Sequence, residues 1–248
     1  MKQLLSLLLV LCIPAFALAD SVRLGDPLSG TVCWPEDTSE KEAIYIYRYA
    51  LPCAVGDSVM DEGVNAFFQD FLDDAIAFTV PINGESVEDT SVQSSTDVDF
   101  QITCNNDDAF SVLMTTHTLM DGYDYTVYSA RVFAARGLKE GLVVPLPYLL
   151  GILDGGETDT WLQDRQTAKA DKCVRDILWE QIEENREKRN YLPDISYEYF
   201  QEMFYPEEDF YLDETGNPVF FIQPGVLTPE EDGVLLFPVD LDYILDEI

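Results

Sequence analysis

The chain carries one histidine, 14 lysines and arginines against 47 aspartates and glutamates, and no C-x-x-C pair of cysteines. Each shortage removes a class of function. His117 stands alone, so the several imidazoles of a metal-dependent deacetylase are missing. A Ser-His-Asp hydrolase would need that same histidine beside a poised serine. No G-x-S-x-G, H-E-x-x-H or P-loop run is present. A formal charge of −33 excludes nucleic acid as a partner, because Lys and Arg must neutralise the phosphates. No apolar stretch reaches the roughly 20 residues that span a bilayer, so no transmembrane anchor is expected. Without C-x-x-C spacing, neither a zinc cage nor a thioredoxin-like redox pair is expected.

What is present begins with a leader. Lys2 precedes an apolar run from Leu4 to Ile13, then Pro14 and Ala17-Leu18-Ala19. A charged start, a short apolar core and an A-x-A end mark residues 1–19 as a cleavable signal peptide. The mature chain is therefore expected to start near Asp20 and to be secreted or periplasmic. Four cysteines follow the leader: Cys33, Cys53, Cys104 and Cys173. An even number in an exported chain points to disulfides in one of three connectivities, with buried free thiols as the other reading.

Residues 20–42 are rich in turn formers and read as a loose segment. Tyr45, Tyr47 and Tyr49 then alternate with Ile44, Ile46 and Arg48, the period of a strand. Val64, Phe67, Phe68, Phe71, Leu72, Ala75 and Ile76 form a helical stripe. Pro81, Asn83 and Gly84 are expected to end that helix. Three strands follow over 97–104, 109–120 and 123–135, separated by Asn105 to Asp108 and by Asp121-Gly122, both hairpin signals. The tyrosine rows at 45, 47, 49 and at 123, 125, 128 are expected to cover a helix packed on the sheet, with contact to a protein or glycan as the other reading. Gly155-Gly156 is the candidate internal boundary.

A second helix is expected from Thr158 to Arg189, with Val174, Ile177, Leu178 and Ile182 on one face. It carries seven of the 14 basic residues, interleaved with acids at spacings that pair across helix turns. From Asn190 to Ile248 there are 15 acids and no lysine or arginine. That segment has to face solvent, counterions, the basic helix or a basic partner. A short helix (SYEYFQEMF) opens it, and strands are expected at 210–212, 219–222 and 234–239. The expected fold class is α+β: antiparallel sheet packed with an amphipathic helix after the first strand, a long second helix, and a short three-strand unit.

The run from YEYFQEMF through FYLDETGNPVFFIQPGVLTPEEDGVLLFPVDL resembles the RsiV-like extracytoplasmic domain of bacterial envelope proteins. The preceding part, with IYIYRYALP, VNAFFQDFL and the meander, is similar to the domain found ahead of the catalytic domain in PdaC-like peptidoglycan deacetylases. The resemblance divides the mature chain into residues 43–154 and 158–248. It implies a protein-binding module, since relatives of this type act as sensors that bind lysozyme. Where that family commonly has an aromatic-containing turn, this chain has Thr228, Pro229, Glu230, Glu231 and Asp232 before Gly233. These five are the candidate partner-binding residues.

The expected function is thus a non-catalytic, exported binding module that recognises a basic protein such as lysozyme, an encounter its charge would favour. The alternative is an accessory that holds cell-wall glycan for a separate enzyme. Carboxylate-only hydrolysis, which needs two acids at a set separation, ranks third because 47 acids single out no pair. Asp97-Val98-Asp99 and Asp240-Leu241-Asp242 offer oxygen ligands, but neither opens an EF-hand loop. No cofactor or resident metal is expected.

Overall fold

The computed structural model describes residues 22–153 and 160–248. The expected leader and the Gly155-Gly156 break lie outside the described residues. The first half is a five-stranded sheet in the order β1 (Leu28–Trp34), β2 (Tyr45–Leu51), β3 (Ser94–Asn105), β4 (Ala109–Met120) and β5 (Tyr123–Ala134). Neighbours are antiparallel except β2 and β3, which run parallel. The parallel pair follows from the helix between them. A helix returns the chain to the end from which β2 started, and only a crossover of that length can join parallel neighbours.

That helix starts at Val59, and Ser58 caps it. The Ser58 hydroxyl accepts the Asp61 N–H at 3.1 Å, while the Asp61 carboxylate accepts the Ser58 N–H at 3.2 Å. Along α1 (Val59–Asp74), Val64, Phe68 and Leu72 are buried against the sheet, and Phe67 and Phe71 flank them. The helix does not stop at Pro81. It passes through one wide π turn, Ala75–Thr79, and continues as α2 (Val80–Ser86). The Val80 N–H bonds the Ala75 carbonyl, five residues back. Pro81 follows the π turn directly, and that wide turn is where the helix accommodates a residue that cannot donate an N–H. Gly84 is no terminator either. A Cβ there would lie 2.1 Å from the Trp34 ring, so the glycine is what lets the indole of β1 lie against α2.

Strand β1 falls within the segment expected to be loose. Gly30 interrupts its pattern for a tertiary reason, since a Cβ at that position would lie 2.5 Å from the Tyr49 hydroxyl. Tyr45 and Tyr47 are buried under the helix as expected. On β5 the expectation fails: Tyr123 is 75% exposed and Tyr125 39%. The Asp121-Gly122 hairpin forms as read, with Met120 opposite Tyr123 and both turn residues at positive φ.

The second half packs the antiparallel sheet β6 (Phe210–Leu212), β7 (Pro218–Ile222) and β8 (Leu235–Pro238) against helices. These are α3 (Leu146–Leu149), α4 (Thr160–Glu184), α5 (Tyr197–Met203) and α6 (Leu241–Glu247). Helix α4 buries Ala170, Val174, Leu178 and Ile182 at helical spacing. The helix stops at Glu184, short of the expected Arg189; Lys172 on it pairs with Asp176, and Arg186 just beyond its end pairs back to Glu183. Trp179, Phe200, Phe204, Phe220 and Phe210 form a chain of ring contacts from α4 to β6, with centroids 5.2–6.0 Å apart. No helix among the described residues is long and apolar enough to cross a membrane.

The small sheet docks on the face of the large sheet opposite α1. Ser111 of β4 is fully buried there. Its hydroxyl accepts the Leu212 N–H at 3.0 Å and the Thr103 hydroxyl at 2.9 Å. At the sheet edge, the Gln223 amide closes both ways on Tyr128, donating to its carbonyl at 2.6 Å and accepting its N–H at 2.9 Å. Removing the buried acceptor leaves a dry donor behind. Ser111→Ala is expected to cost about 1–3 kcal/mol of unfolding free energy, measured as a shifted denaturant midpoint at unchanged slope.

Candidate partner-binding site

The turn singled out in the sequence is a single 3-10 turn, Glu230–Asp232, between β7 and β8. The Asp232 N–H bonds the Pro229 carbonyl and the Gly233 N–H the Glu230 carbonyl, both at 3.0 Å. Gly233 closes it at φ 75°, a region that favours glycine. The turn is held from below, because Leu227 and Leu235 are in the core and the Leu192 N–H bonds the Leu227 carbonyl at 2.9 Å. The five candidates separate by position. Thr228 is 2% exposed and belongs to the support. Pro229 is half-buried, and Glu230, Glu231 and Asp232 turn outward. Three carboxylates are thus presented by a backbone tied to the core.

The surrounding electrostatics are one-sided. Of the 15 acids from Asn190 onward, 13 are exposed, and only Asp209 and Asp213 are half-buried. Among the described residues, no ion pair involves any of them. The basic helix meets this segment at main-chain oxygens, Lys169 at Ile248 and Arg175 at Phe204, and among the described residues not at its acidic side chains. Asp213 is spent on structure: burial raises its pKa, but the bonds from Thr215, Asn217 and Gly216 outweigh that and hold it below its usual range. Asp209 goes the other way. Burial pushes it up to about 6, against a backbone bond from the Tyr205 N–H, and Glu208 adds repulsion.

A second feature was not legible in the sequence. Two turns that lie far apart along the chain face each other and open a cleft of about 970 Å³ between the sheets. Asn106 and Asp108 come from the β3–β4 turn, Asn217 from the β6–β7 turn, and Asp240 from the start of α6. Tyr148 of α3 lines the cleft, as does Arg136, which pairs with Asp108. Asn217 is held in place by the Leu241 N–H at 3.1 Å, and the Asn106 amide rests on the Cys104 sulfur at 3.2 Å. Leu138, Leu149, Leu153, Leu212 and Leu241 also line it, so the cleft suits a small ligand with both apolar and polar parts. The only advance signal was a pair of Asx-rich turns, which a hairpin accounts for equally well.

His117 lies on β4 facing away from α1, with its Nε2 2.7 Å from the Asp124 carboxylate in solvent. The four cysteines are free thiols, so the expected staples are not formed. Strand register also excludes two of the three pairings. Cys33 faces Ile46, whereas Cys53 lies beyond Leu51, which faces Leu28. Five ladder steps put Cys33 and Cys53 at least roughly 17 Å apart, against the few ångströms a disulfide spans. Ile46 in turn faces Ser95, nine residues before Cys104, roughly 30 Å along β3. Burial raises the Cys104 thiol pKa to about 11, with Asp213 and Asp108 adding to it.

No family model matches the chain, and no curated protein sequence matches it. Solved structures do share its fold. A DUF3298 family member from Bacteroides fragilis NCTC 9343 is 12% identical, with a TM-score of 0.51, over 93% of this chain and 98% of that one. A DUF3298 family protein from Pseudomonas aeruginosa PAO1 is also 12% identical, with a TM-score of 0.53, over 93% of this chain and 95% of its own. At this identity the likeness is one of fold.

The raised Asp209 carries a pH signature. Its folded form holds a proton that the unfolded chain, at the ordinary value of 3.8, has already released. Its stabilising contribution is therefore complete below that value and lost as pH rises through about 6. Asp209→Asn is expected to stabilise the protein by about 1 kcal/mol at pH 7, after allowance for solvent screening, and by nothing near pH 3.5. Denaturant midpoints at the two pH values check this. An equal effect at both would contradict the assignment.

Proposed function

We propose that this chain is an exported, non-catalytic binding module of the bacterial cell envelope whose ligand is a strongly basic protein such as lysozyme. One observation carries the reading: an almost wholly exposed set of 15 acids, without a base among them in sequence, that ends three carboxylates on a turn fixed to the core. A fixed, unneutralised anionic surface speeds encounter with a cationic partner and gains when both surfaces release counterions. The RsiV-like resemblance of the C-terminal part agrees with this, and the acidic turn takes the place of the aromatic-containing turn of that family.

Titration with lysozyme at rising ionic strength tests the proposal. The triple variant Glu230→Gln, Glu231→Gln, Asp232→Asn is expected to bind about tenfold more weakly at low salt, with a shallower salt dependence. No binding by the wild type at low ionic strength would remove the lysozyme reading. Hydrolytic turnover of peptidoglycan would remove the non-catalytic one.

The cleft favours a second reading, as an accessory that holds cell-wall glycan. Tyr148, Asn106 and Asn217 all line the cleft, side chains of the kinds that meet sugars. Under that reading the protein sediments with insoluble peptidoglycan, and Tyr148→Ala releases it to the supernatant while the acidic-turn variant does not.

A further inference from the structure

Strand β5 ends the large sheet, and its outer edge is treated differently along its length. At the far end, the segment after it closes the edge: the Val144 N–H bonds the Val132 carbonyl at 2.8 Å and the Ala134 N–H bonds the Leu142 carbonyl at 3.1 Å. In the middle, the Gln223 amide takes both backbone groups of Tyr128. Because strand geometry repeats every two residues, the backbone groups of Thr126 and Asp124 point the same way as those of Tyr128. Among the described residues, no hydrogen bond to those backbone groups occurs. The near end of β5 is thus an open edge.

The same stretch exposes apolar side chains in register. Tyr123, Tyr125 and Val127 fall on one face, at 75%, 39% and 43% exposure. A groove of about 480 Å³ lies beside them, lined by Ser86, Glu88, Met120 and Asp121 together with the two tyrosines. The hairpin tip is held in place, since the Asp121 carboxylate accepts the N–H groups of Glu88 and Asp89, each at 3.1 Å. Natural sheets usually blunt such an edge with charged side chains, above all lysine, with proline or with a bulge; among residues 123–127 only Asp124 is charged, and its carboxylate is bonded to His117. Charge selects the occupant. Glu88, Asp89, Asp121 and Asp124 border the edge, and no lysine or arginine lies between Glu85 and Ser129. A second copy of this chain would bring the same acids against them.

We propose that the edge at residues 123–127 takes an extended, lysine- or arginine-bearing segment of a partner protein as a sixth strand. Backbone bonds at Asp124 and Thr126 would supply the pairing. The tyrosine row and the groove would take alternate side chains, with the acids answering its positive charges. This surface is separate from the acidic turn of Glu230–Asp232, and the two are tested separately.

The probe is the acetylated peptide Lys-Val-Lys-Tyr-Lys-Val-Lys-Val, with its lysine-to-glutamate counterpart as control. Saturation is expected to slow exchange of the Asp124 and Thr126 amides at least about tenfold, leaving amides of residues 230–233 unchanged. Thr126→Pro, which removes one outward N–H, is expected to weaken binding about tenfold, whereas Thr126→Val leaves it within about twofold. The acidic-turn triple variant binds the peptide as the wild type does. The proposal is overturned by any of four results: no binding of the basic peptide, equal binding of the acidic one, protection at 230–233 instead, or a wild-type dimer that Thr126→Pro abolishes. The last would assign the edge to a second copy.

Discussion

A buried hydroxyl, on Ser111, ties the two halves of this molecule together inside the core they share. It accepts the Leu212 N–H from the small sheet and the Thr103 hydroxyl from its own sheet. The first strand of a three-stranded sheet so short needs somewhere to put its backbone groups. Ser111 provides that place in the middle of an apolar interface. Around this bond, Ala109, Val132 and Ala134 of the large sheet share one core with α4, α5 and the small sheet. The Gln223 clasp on Tyr128 repeats the device at the sheet edge, where a side-chain amide stands in for a neighbouring strand. The cleft between the sheets and the closure of the β5 edge at Tyr128 are placed by how the small sheet sits on these two anchors.

The charge of the chain is consistent with such a frame. An excess of 33 negative charges repels itself when the chain is compact, so the folded state must offset it with burial and screening. The core does so with aromatic contacts that run unbroken from Trp179 to Phe210. Most acids are kept outside; among the exceptions, Asp61 is buried in the cap of α1 and burial raises the pKa of Asp171. Asp213 is satisfied by its own turn, whereas Asp209 remains half-buried at a raised pKa. An acidic surface of this kind serves solubility at no further cost. The two places where recognition is proposed differ from the rest of that surface: at Glu230–Asp232 a backbone tied to the core holds the carboxylates, and along β5 open backbone groups lie beside the acids.

Much of the secondary structure was legible from local patterns. Val64, Phe68 and Leu72 on α1, and Val174, Leu178 and Ile182 on α4, repeat at helical spacing and are buried as that spacing requires. Asp121-Gly122 reads as a hairpin and is one, because both residues tolerate positive φ. The strands at 210–212 and 218–222 stand close to where alternation and turn residues placed them. The failures share a cause. Gly30 and Gly84 look like breaks in a strand and a helix, but each lies in regular structure and makes room for an aromatic ring from elsewhere, Tyr49 and Trp34. The exposed Tyr123 and Tyr125 follow the same alternation as the buried Tyr45 and Tyr47, so their sequence pattern could not separate them.

By itself the sequence determined the α+β class, the main helices and hairpins, the placement of acids and bases, and the position of the acidic turn. These depend on backbone preference and side-chain period, which act within a few residues. Only the tertiary structure decided that β2 and β3 run parallel, that β1 is a strand, that two of three disulfide pairings are out of reach, and that turns near Asn106 and Asn217 face each other across a cleft. Those outcomes rest on contacts such as Ser111 with Leu212, 101 residues apart. No local pattern encodes such a contact, because the partner that satisfies a buried group is chosen by the packing of the whole chain.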